Sequence, residues 1–317
     1  RLASQIQSAG FASFTGADEV FAGDRASFRR RGFPDEYVKP FVMGDAVRDY
    51  QIMPGDWAFA PYAADLRPIP LTPSARWAKA MWPWRATQEG VVSFAGKTRK
   101  ENGDEWWTWY RWVPAKYATS LTITFGEIAT HNHFTFDRGG KVFNRTAPVI
   151  KLPAGSTEEE HLGLLGLLNS SVACFWLKQV CFPKGGDHVG SEGARVRKTL
   201  WDERYAFNAT NIGDYPLPLQ QPLSLGQRLY SLAQLISSEM PASMVARLPL
   251  PNRAALAAAY DRTTHLRSQM LAFQEELDWT CYGLYGLLPE RRDALNFEYD
   301  DSLDLVNLKA GERAFEI

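Results

Sequence analysis

The sequence predicts an α/β chain in which a sheet-rich first part, residues 1–220, precedes a helical C-terminal region, residues 221–317. Three observations carry that prediction. Between residues 50 and 150, short apolar runs alternate with turn residues, as strands do. From residue 156, a capped apolar stretch carries a helical signal. Beyond Gln220 the apolar positions recur every three or four residues, the spacing of one helix face. With 317 residues, 45% of them apolar, the chain is long enough to bury one large core or two modest ones.

Taken in order, the strand-like runs are WAFAPY at 57–62, VVSF at 91–94 and LTITF at 121–125. The run HFTFDRGGKVF reads as a hairpin, because Phe134 and Phe136 alternate with Thr135 and Asp137 ahead of Gly139 and Gly140, which tolerate positive φ. APVIKLP follows as a buried strand. Ser156 and Thr157 with Glu159 and Glu160 form overlapping capping boxes before HLGLLGLLNSSVACFWLKQV, a largely buried helix. The stretch FPKGGDHVGSEGARVRK at 182–198 has no apolar period and reads as a surface loop; RYAFNATNIGDYPLP returns to the sheet. A helix is expected at 224–239, and a longer one from Asn252, a good N-cap, to about Leu287. Its apolar seam (Leu266, Met270, Phe273, Leu277, Cys281, Leu284) is expected to pack against its own domain rather than a partner helix.

Composition excludes several classes of function. No apolar run approaches 18 residues and no secretory signal opens the chain, so a cytoplasmic setting without membrane contact is expected. The chain begins at Arg1 with no start signal, and reads as a piece of a longer polypeptide. Cys174, Cys181 and Cys281 form no CxxC pair and read as buried thiols. A net charge of −1 argues against indiscriminate polyanion binding. The charge is unevenly spread: Arg25, Arg29, Arg30, Arg31, Lys39 and Arg48 crowd a basic window, whereas the chain beyond Glu290 is acidic. There is no GxSxG, GxGxxG or GxxxxGK[ST] element, which removes hydrolase-elbow and nucleotide-loop readings. His131, Asn132 and His133 are contiguous, unlike the dispersed residues of an HNH nuclease. On one strand face, His131 and His133 could meet a metal with Asp137, but no ligand stands at a recognisable spacing, and the pair reads as hydrogen-bonded histidines with no metal.

Basic loop clusters suit a DNA reader, which needs cations for phosphates and a few side chains for base edges. The candidates are Lys97, Arg99, Lys100, Arg138, Lys141, Lys184, His188, Arg195, Arg197 and Lys198. The crowded tryptophans Trp77, Trp82, Trp84, Trp106, Trp107, Trp109 and Trp112 are expected mostly in the core, with one or two available to stack on a displaced base or wedge into a kinked step.

Several ordered segments carry a resemblance: RRRGFPDEYVKPFVMGDAVRDY at 29–50, ATHNHFTFDRGGKVFNRTAPVIKLP at 129–153, LLGLLNSSVACFWLKQ at 164–179, YAFNATNIGDYPLP at 205–218 and AFQEELDWTCYGLYGL at 272–287. Together they resemble the recognition region of adenine-specific DNA methyltransferases related to type IIG restriction-modification enzymes, above all the PglX kind of BREX phage defence. The resemblance implies a mixed-sheet target-recognition domain followed by a helical spacer. It also implies a parent enzyme that moves a methyl group from S-adenosylmethionine to adenine N6 in double-stranded DNA. The chain has no NPPY or DPPY tetrapeptide and no FxGxG-type loop, so no cofactor is expected in it, and the methyltransferase domain of the same polypeptide becomes its first partner. The competing expectation is a protein-interaction module, docking other BREX components or bound by a phage inhibitor, motivated by the acidic tail and the long helix.

Overall fold

The computed structural model describes residues 1–93, 95–184, 204–247 and 250–288. Among these, strands assemble into two four-stranded sheets and three two-stranded ribbons. The first sheet is antiparallel, in the order Ser8–Gly10, Val149–Lys151, Thr122–Phe125, Phe134–Asp137. The second has the order Val142–Phe143, Val38–Val42, Trp57–Phe59, Ala22–Gly23, and is mixed because its first pair is parallel. The α/β class with a mixed sheet holds, and helices dominate beyond residue 222.

The expected hairpin at 134–143 is not one. Phe134–Asp137 pairs with Thr122–Phe125, whereas Val142–Phe143 crosses to the other sheet and lies beside Val38–Val42. Gly139 and Gly140 do adopt positive φ, 104° and 84°, but they turn the chain from one sheet into the next. VVSF gives only an isolated bridge between Val92 and Thr98. Tyr205–Ala206 forms a ribbon with Ile128–Ala129, and the residues after it turn into the short helix Ala209–Gly213.

The single helix expected after Thr157 is two. Glu158–Leu168 starts with the Thr157/Glu160 capping box, and Ser171–Val180 starts anew with the Ser170 side chain accepting from the Ala173 N–H. The break falls at Asn169, whose side chain is used elsewhere. Its Oδ1 accepts from the Phe134 N–H at 3.0 Å and its Nδ2 donates to the Phe134 carbonyl at 2.9 Å, an exchange of two bonds with a sheet backbone. Ser170 then takes extended backbone, φ −77° and ψ 158°, and becomes the N-cap of the next helix, so the first does not run on.

A continuous core joins the first sheet to the helices on both sides of residue 220. Ile123, Phe125, Phe134 and Ile150 pack with Leu165, Leu168, Leu229, Phe273, Leu277 and Cys281. The long helix runs Arg253–Leu284 from the expected Asn252 cap, and its seam faces this core, as anticipated. The helices Glu158–Leu168 and Leu223–Glu239 approach so closely that a Cβ on Gly226 would lie 2.3 Å from the Leu162 carbonyl oxygen. A second core, under the mixed sheet, gathers Phe21, Phe28, Phe33, Phe41 and Phe59 with Trp77, Trp106 and Trp109. The three cysteines form no disulfide and are buried, and burial pushes the Cys281 thiol up to about 12. No helix among the described residues is long and apolar enough to cross a membrane.

Two consequences are measurable. Asn169→Ala leaves a buried Phe134 N–H without its acceptor and removes a donor to the Phe134 carbonyl, so unfolding stability should drop by about 2–4 kcal/mol. A urea-denaturation loss under about 1 kcal/mol would contradict the role given to the pair. Lys151 is buried and donates to Thr119 O, Leu121 O and Thr122 Oγ1, each at 2.7 Å. Burial lowers its ammonium to about 8, with nearby Asp137 opposing the shift and Lys116 adding to it. Between there and the ordinary lysine value near ~10.4 the unfolded chain binds more protons, so stability from this position rises with pH. Wild type should gain on Lys151→Met as pH rises through that window; a constant gap between the two unfolding curves would refute it.

Candidate nucleic-acid interface

The Trp-rich segment folds as consecutive short helices, Arg76–Met81, Trp82–Trp84, Arg85–Glu89 and Arg99–Asn102, which the sequence pattern had not indicated. Its tryptophans divide by role. Trp77, Trp106 and Trp109 are buried, and the indole N–H of Trp109 donates to the Phe59 carbonyl at 2.9 Å. Trp107 and Trp112 donate likewise to Ile69 O and Leu66 O. Trp82 and Trp84 are the ones left outside, 48% and 39% exposed, with the Arg85 guanidinium over the Trp82 ring at 4.8 Å. The expectation of mostly core tryptophans with one or two available matches this division.

Beside those two rings, a Thr98/Glu101 capping box starts the helix that carries Arg99 and Lys100. Arg99, a candidate DNA contact by sequence, points inward. It is 2% exposed and donates to the Thr108 carbonyl at 2.9 Å, the Glu105 carbonyl at 2.6 Å and the Thr108 hydroxyl at 2.8 Å. Burial pulls its pKa down, against the nearby carboxylates and tyrosines. A side chain with its donors spent on the loop before Trp109 is a structural tie and is withdrawn from the interface. Its inward turn leaves Lys97 and Lys100 exposed, with Lys100 Nζ 3.9 Å from Glu89.

The remaining candidates fare differently. Arg138 pairs with Glu158 and donates to the Tyr230 hydroxyl, and the Glu158 bond holds its guanidinium firmly charged. Lys141 pairs with Asp137, so much of the charge at this corner is cancelled internally. Lys184 is exposed. His188, Arg195, Arg197 and Lys198 lie outside the described residues. Much of the basic window at 25–48 is also spoken for: Arg29 and Arg25 both lie against Asp35, and Arg31 covers Phe28 and Phe33.

Two exposed arginines outside the candidate set belong beside the survivors. Arg111 stands opposite Phe14 in the Ser13–Phe14/Arg111–Trp112 ribbon and lies 5.4 Å from the Tyr110 ring; Arg145 lies 5.4 Å from the Phe14 ring. Only the ribbon brings these four residues together, and no spacing in the sequence announced it. Nearby, Tyr62, Trp112 and Tyr117 stack at 4.0 and 4.1 Å along one wall of a cleft of about 520 Å³, which Lys39, Lys141 and Glu36 also line. Burial raises the pKa of both tyrosines, so the stack stays neutral.

Residues 131–133 precede the strand Phe134–Asp137 instead of lying in one as expected, yet the two histidines still come together, beside a different carboxylate. Asn132 is buried, and the rings of His131 and His133 lie 4.2 Å apart. Asp137 is not with them, being bound to Lys141 and the Gly139 N–H; the carboxylate beside them is Asp49.

No family model matches the chain. Its sequence is 43% identical over 311 residues to the adenine-specific methyltransferase PglX of Streptomyces coelicolor. The match takes in 97% of this chain and 25% of that protein, so the chain spans about a quarter of the length of the curated relative it matches. The resemblance read from ordered segments therefore extends over nearly all of the sequence. Among solved structures, the type IIL restriction-modification enzyme MmeI, determined in complex with DNA, superposes on 92% of this chain and 34% of its own, with a TM-score of 0.51 at 16% identity. At that identity, what the two have in common is a fold.

The division between buried and exposed cations gives a contrast to measure. Arg99→Met should lower stability by about 2 kcal/mol or more, because two backbone carbonyls lose a charged donor. Lys97→Ala and Lys100→Ala should each stay within about 0.5 kcal/mol of wild type. Thermal or urea unfolding that ranks the three equally would refute the assignment.

Proposed function

We propose that this chain is the part of a phage-defence adenine-specific DNA methyltransferase that recognises the target sequence, and that it carries no methyl-transferring site of its own. The observation that carries the proposal is the 43% identity to PglX across 97% of the chain, confined to a quarter of that protein. A fold in common with part of MmeI, an enzyme solved on DNA, supports a DNA-facing role. The absence of NPPY, DPPY and FxGxG-type elements supports the second half, and assigns S-adenosylmethionine to the remainder of the parent polypeptide.

On this reading the enzyme flips an adenine into a pocket elsewhere, and this chain holds the duplex in register while base edges are read. Lys97, Lys100 and Lys184, with Arg111 and Arg145, supply positive charge that is not buried. Trp82 and Trp84 offer apolar faces of the kind that stack on an unpaired base or wedge between steps. His188, Arg195, Arg197 and Lys198 remain proposed contacts, as do Arg138 and Lys141 after release from their carboxylate partners.

A second reading has one observation in its favour. Phe175, Phe182 and Trp279 are large apolar side chains left 63%, 73% and 45% exposed, of the kind that a docked partner would cover. The rest of the methyltransferase polypeptide is the first partner to try there, ahead of other BREX components or a phage inhibitor.

Exchanging this segment between two related methylases and mapping methylated adenines by sequencing tests the main reading. The modified sequence should follow the segment; an unchanged sequence would sink the proposal. Replacing Lys97 and Lys100 by Ala in the full-length enzyme should also flatten the dependence of log affinity on log salt, by about 0.9 for each phosphate that is no longer neutralised.

A further inference from the structure

The histidine pair and Asp49 lie outside the surface described above, and they are brought together by the most heavily hydrogen-bonded part of the interior. Asn132, 1% exposed, donates its side-chain N–H to the Leu168 carbonyl at 2.6 Å. The next residue but one, Phe134, is locked to the Asn169 side chain. With Asn132 and Phe134 fixed inward, His131 and His133 stay half-buried with their rings 4.2 Å apart. The Thr130 hydroxyl engages His131 Nδ1 at 3.0 Å and orients that ring.

Asp49 reaches them from the turn between Val47–Arg48 and Gln51–Ile52. That turn is held from behind by Tyr50, a fully buried residue at φ 62°. Its N–H donates to the Phe134 carbonyl at 3.0 Å, its hydroxyl to Gln274 Oε1 at 3.3 Å, and its carbonyl accepts from Gln234 Nε2 at 3.0 Å. A non-glycine residue at positive φ is uncommon, and here its geometry aims the neighbouring carboxylate at the imidazoles. His133 Nδ1 and Asp49 Oδ1 are 2.9 Å apart, and one ligand atom from each of the three residues falls within 4.8 Å of the others.

We propose that Asp49, His131 and His133 form a binding site for a divalent transition-metal ion, with Zn²⁺ the first to test. Two imidazoles and one carboxylate suit zinc and its neighbours, whereas Mg²⁺ and Ca²⁺ prefer oxygen alone. Tetrahedral zinc at about 2.0–2.1 Å sets its donors roughly 3.3 Å apart, a contraction that side-chain rotation of three half-buried residues supplies. Three protein ligands leave a fourth position to water. The Thr130 hydroxyl on His131 Nδ1 is the kind of outer hydrogen bond that orients a ligating imidazole. Bound there, the ion ties the Val47–Ile52 turn to the 130–134 segment. No catalytic step is assigned to it, and the inference stands whether or not the chain reads DNA.

Zn²⁺ and Co²⁺ titrated into the metal-stripped full chain test the site, by calorimetry and by the visible absorption of bound Co²⁺. One equivalent should bind, raise the unfolding temperature and give the intense cobalt bands of a four-coordinate site. His131→Ala leaves the Asp49–His133 bond in place and should unfold like metal-free wild type, yet bind at least about tenfold more weakly. Asp49→Asn keeps an oxygen toward His133, removes the charge and should weaken binding likewise. Absence of binding to wild type, or binding that both variants leave unchanged, would overturn the proposal.

Discussion

The exchange of hydrogen bonds between the Asn169 side chain and the backbone of Phe134 is the constraint on which the rest of this structure depends. It lies where one helix gives way to the next, ties that corner to the central sheet and holds the segment that follows the histidines. The hydrogen-bonded neighbourhood continues outward. Gln274 donates to the Asn169 carbonyl, Asp278 accepts from the Ser171 N–H, and the Tyr50 hydroxyl reaches Gln274. Such a net sits in low dielectric, where a satisfied bond is strong and an orphaned group is costly, so its members specify one arrangement. Segments that carry the resemblance to methyltransferases converge here. ATHNHFTF supplies Asn132 and Phe134, LLGLLNSS supplies Asn169 and Ser171, and AFQEELDW supplies Gln274 and Asp278. Their shared position gives them a common structural role in this net.

Around this hub the chain spends much of its charge and aromatic surface on itself. Arg99 is buried among carbonyls, Arg138 and Lys141 are paired with carboxylates, and three of the crowded indoles, Trp107, Trp109 and Trp112, have their N–H groups bonded to backbone. Among the described residues, two of the cations that remain exposed, Arg111 and Arg145, lie against aromatic rings. A chain of net charge −1 arranged this way would hold a duplex through a few placed contacts rather than a general field. Specific readers need that property, since affinity from charge alone carries no sequence information.

Much of the fold was legible because it followed local rules. The Thr157 and Asn252 caps, the buried strand at 149–151 and the inward seam of the last helix each rest on periodicity or on a side chain bonding within its own turn. The misreadings share a cause. The hairpin at 134–143 failed because two glycines permit a reversal without dictating which strand is paired next. The helix through 158–180 is broken because Ser170 takes the extended backbone of an N-cap and starts a second helix, a choice its neighbours do not announce. The candidate site was legible in kind, as loop cations and spare tryptophans, and less so by residue. Lys97 and Arg99 look alike in sequence, and only the carbonyls of Glu105 and Thr108 decide that one of them turns inward.

The sequence by itself determined the class of the chain, its helix starts, its kinship with a quarter of an adenine-specific methyltransferase and the pairing of His131 with His133 on one side of the backbone. Those follow from composition, period and motif, which need no knowledge of distant neighbours. Tertiary structure alone decided that Asp49 rather than Asp137 meets the histidines, that Arg111 and Arg145 share an aromatic ribbon, and which cations stay in water. The reason is physical. Whether a charged group is buried, paired or exposed depends on what packs beside it, and for Asp49, Arg111 and Arg138 the residues that do so come from tens of positions away or more.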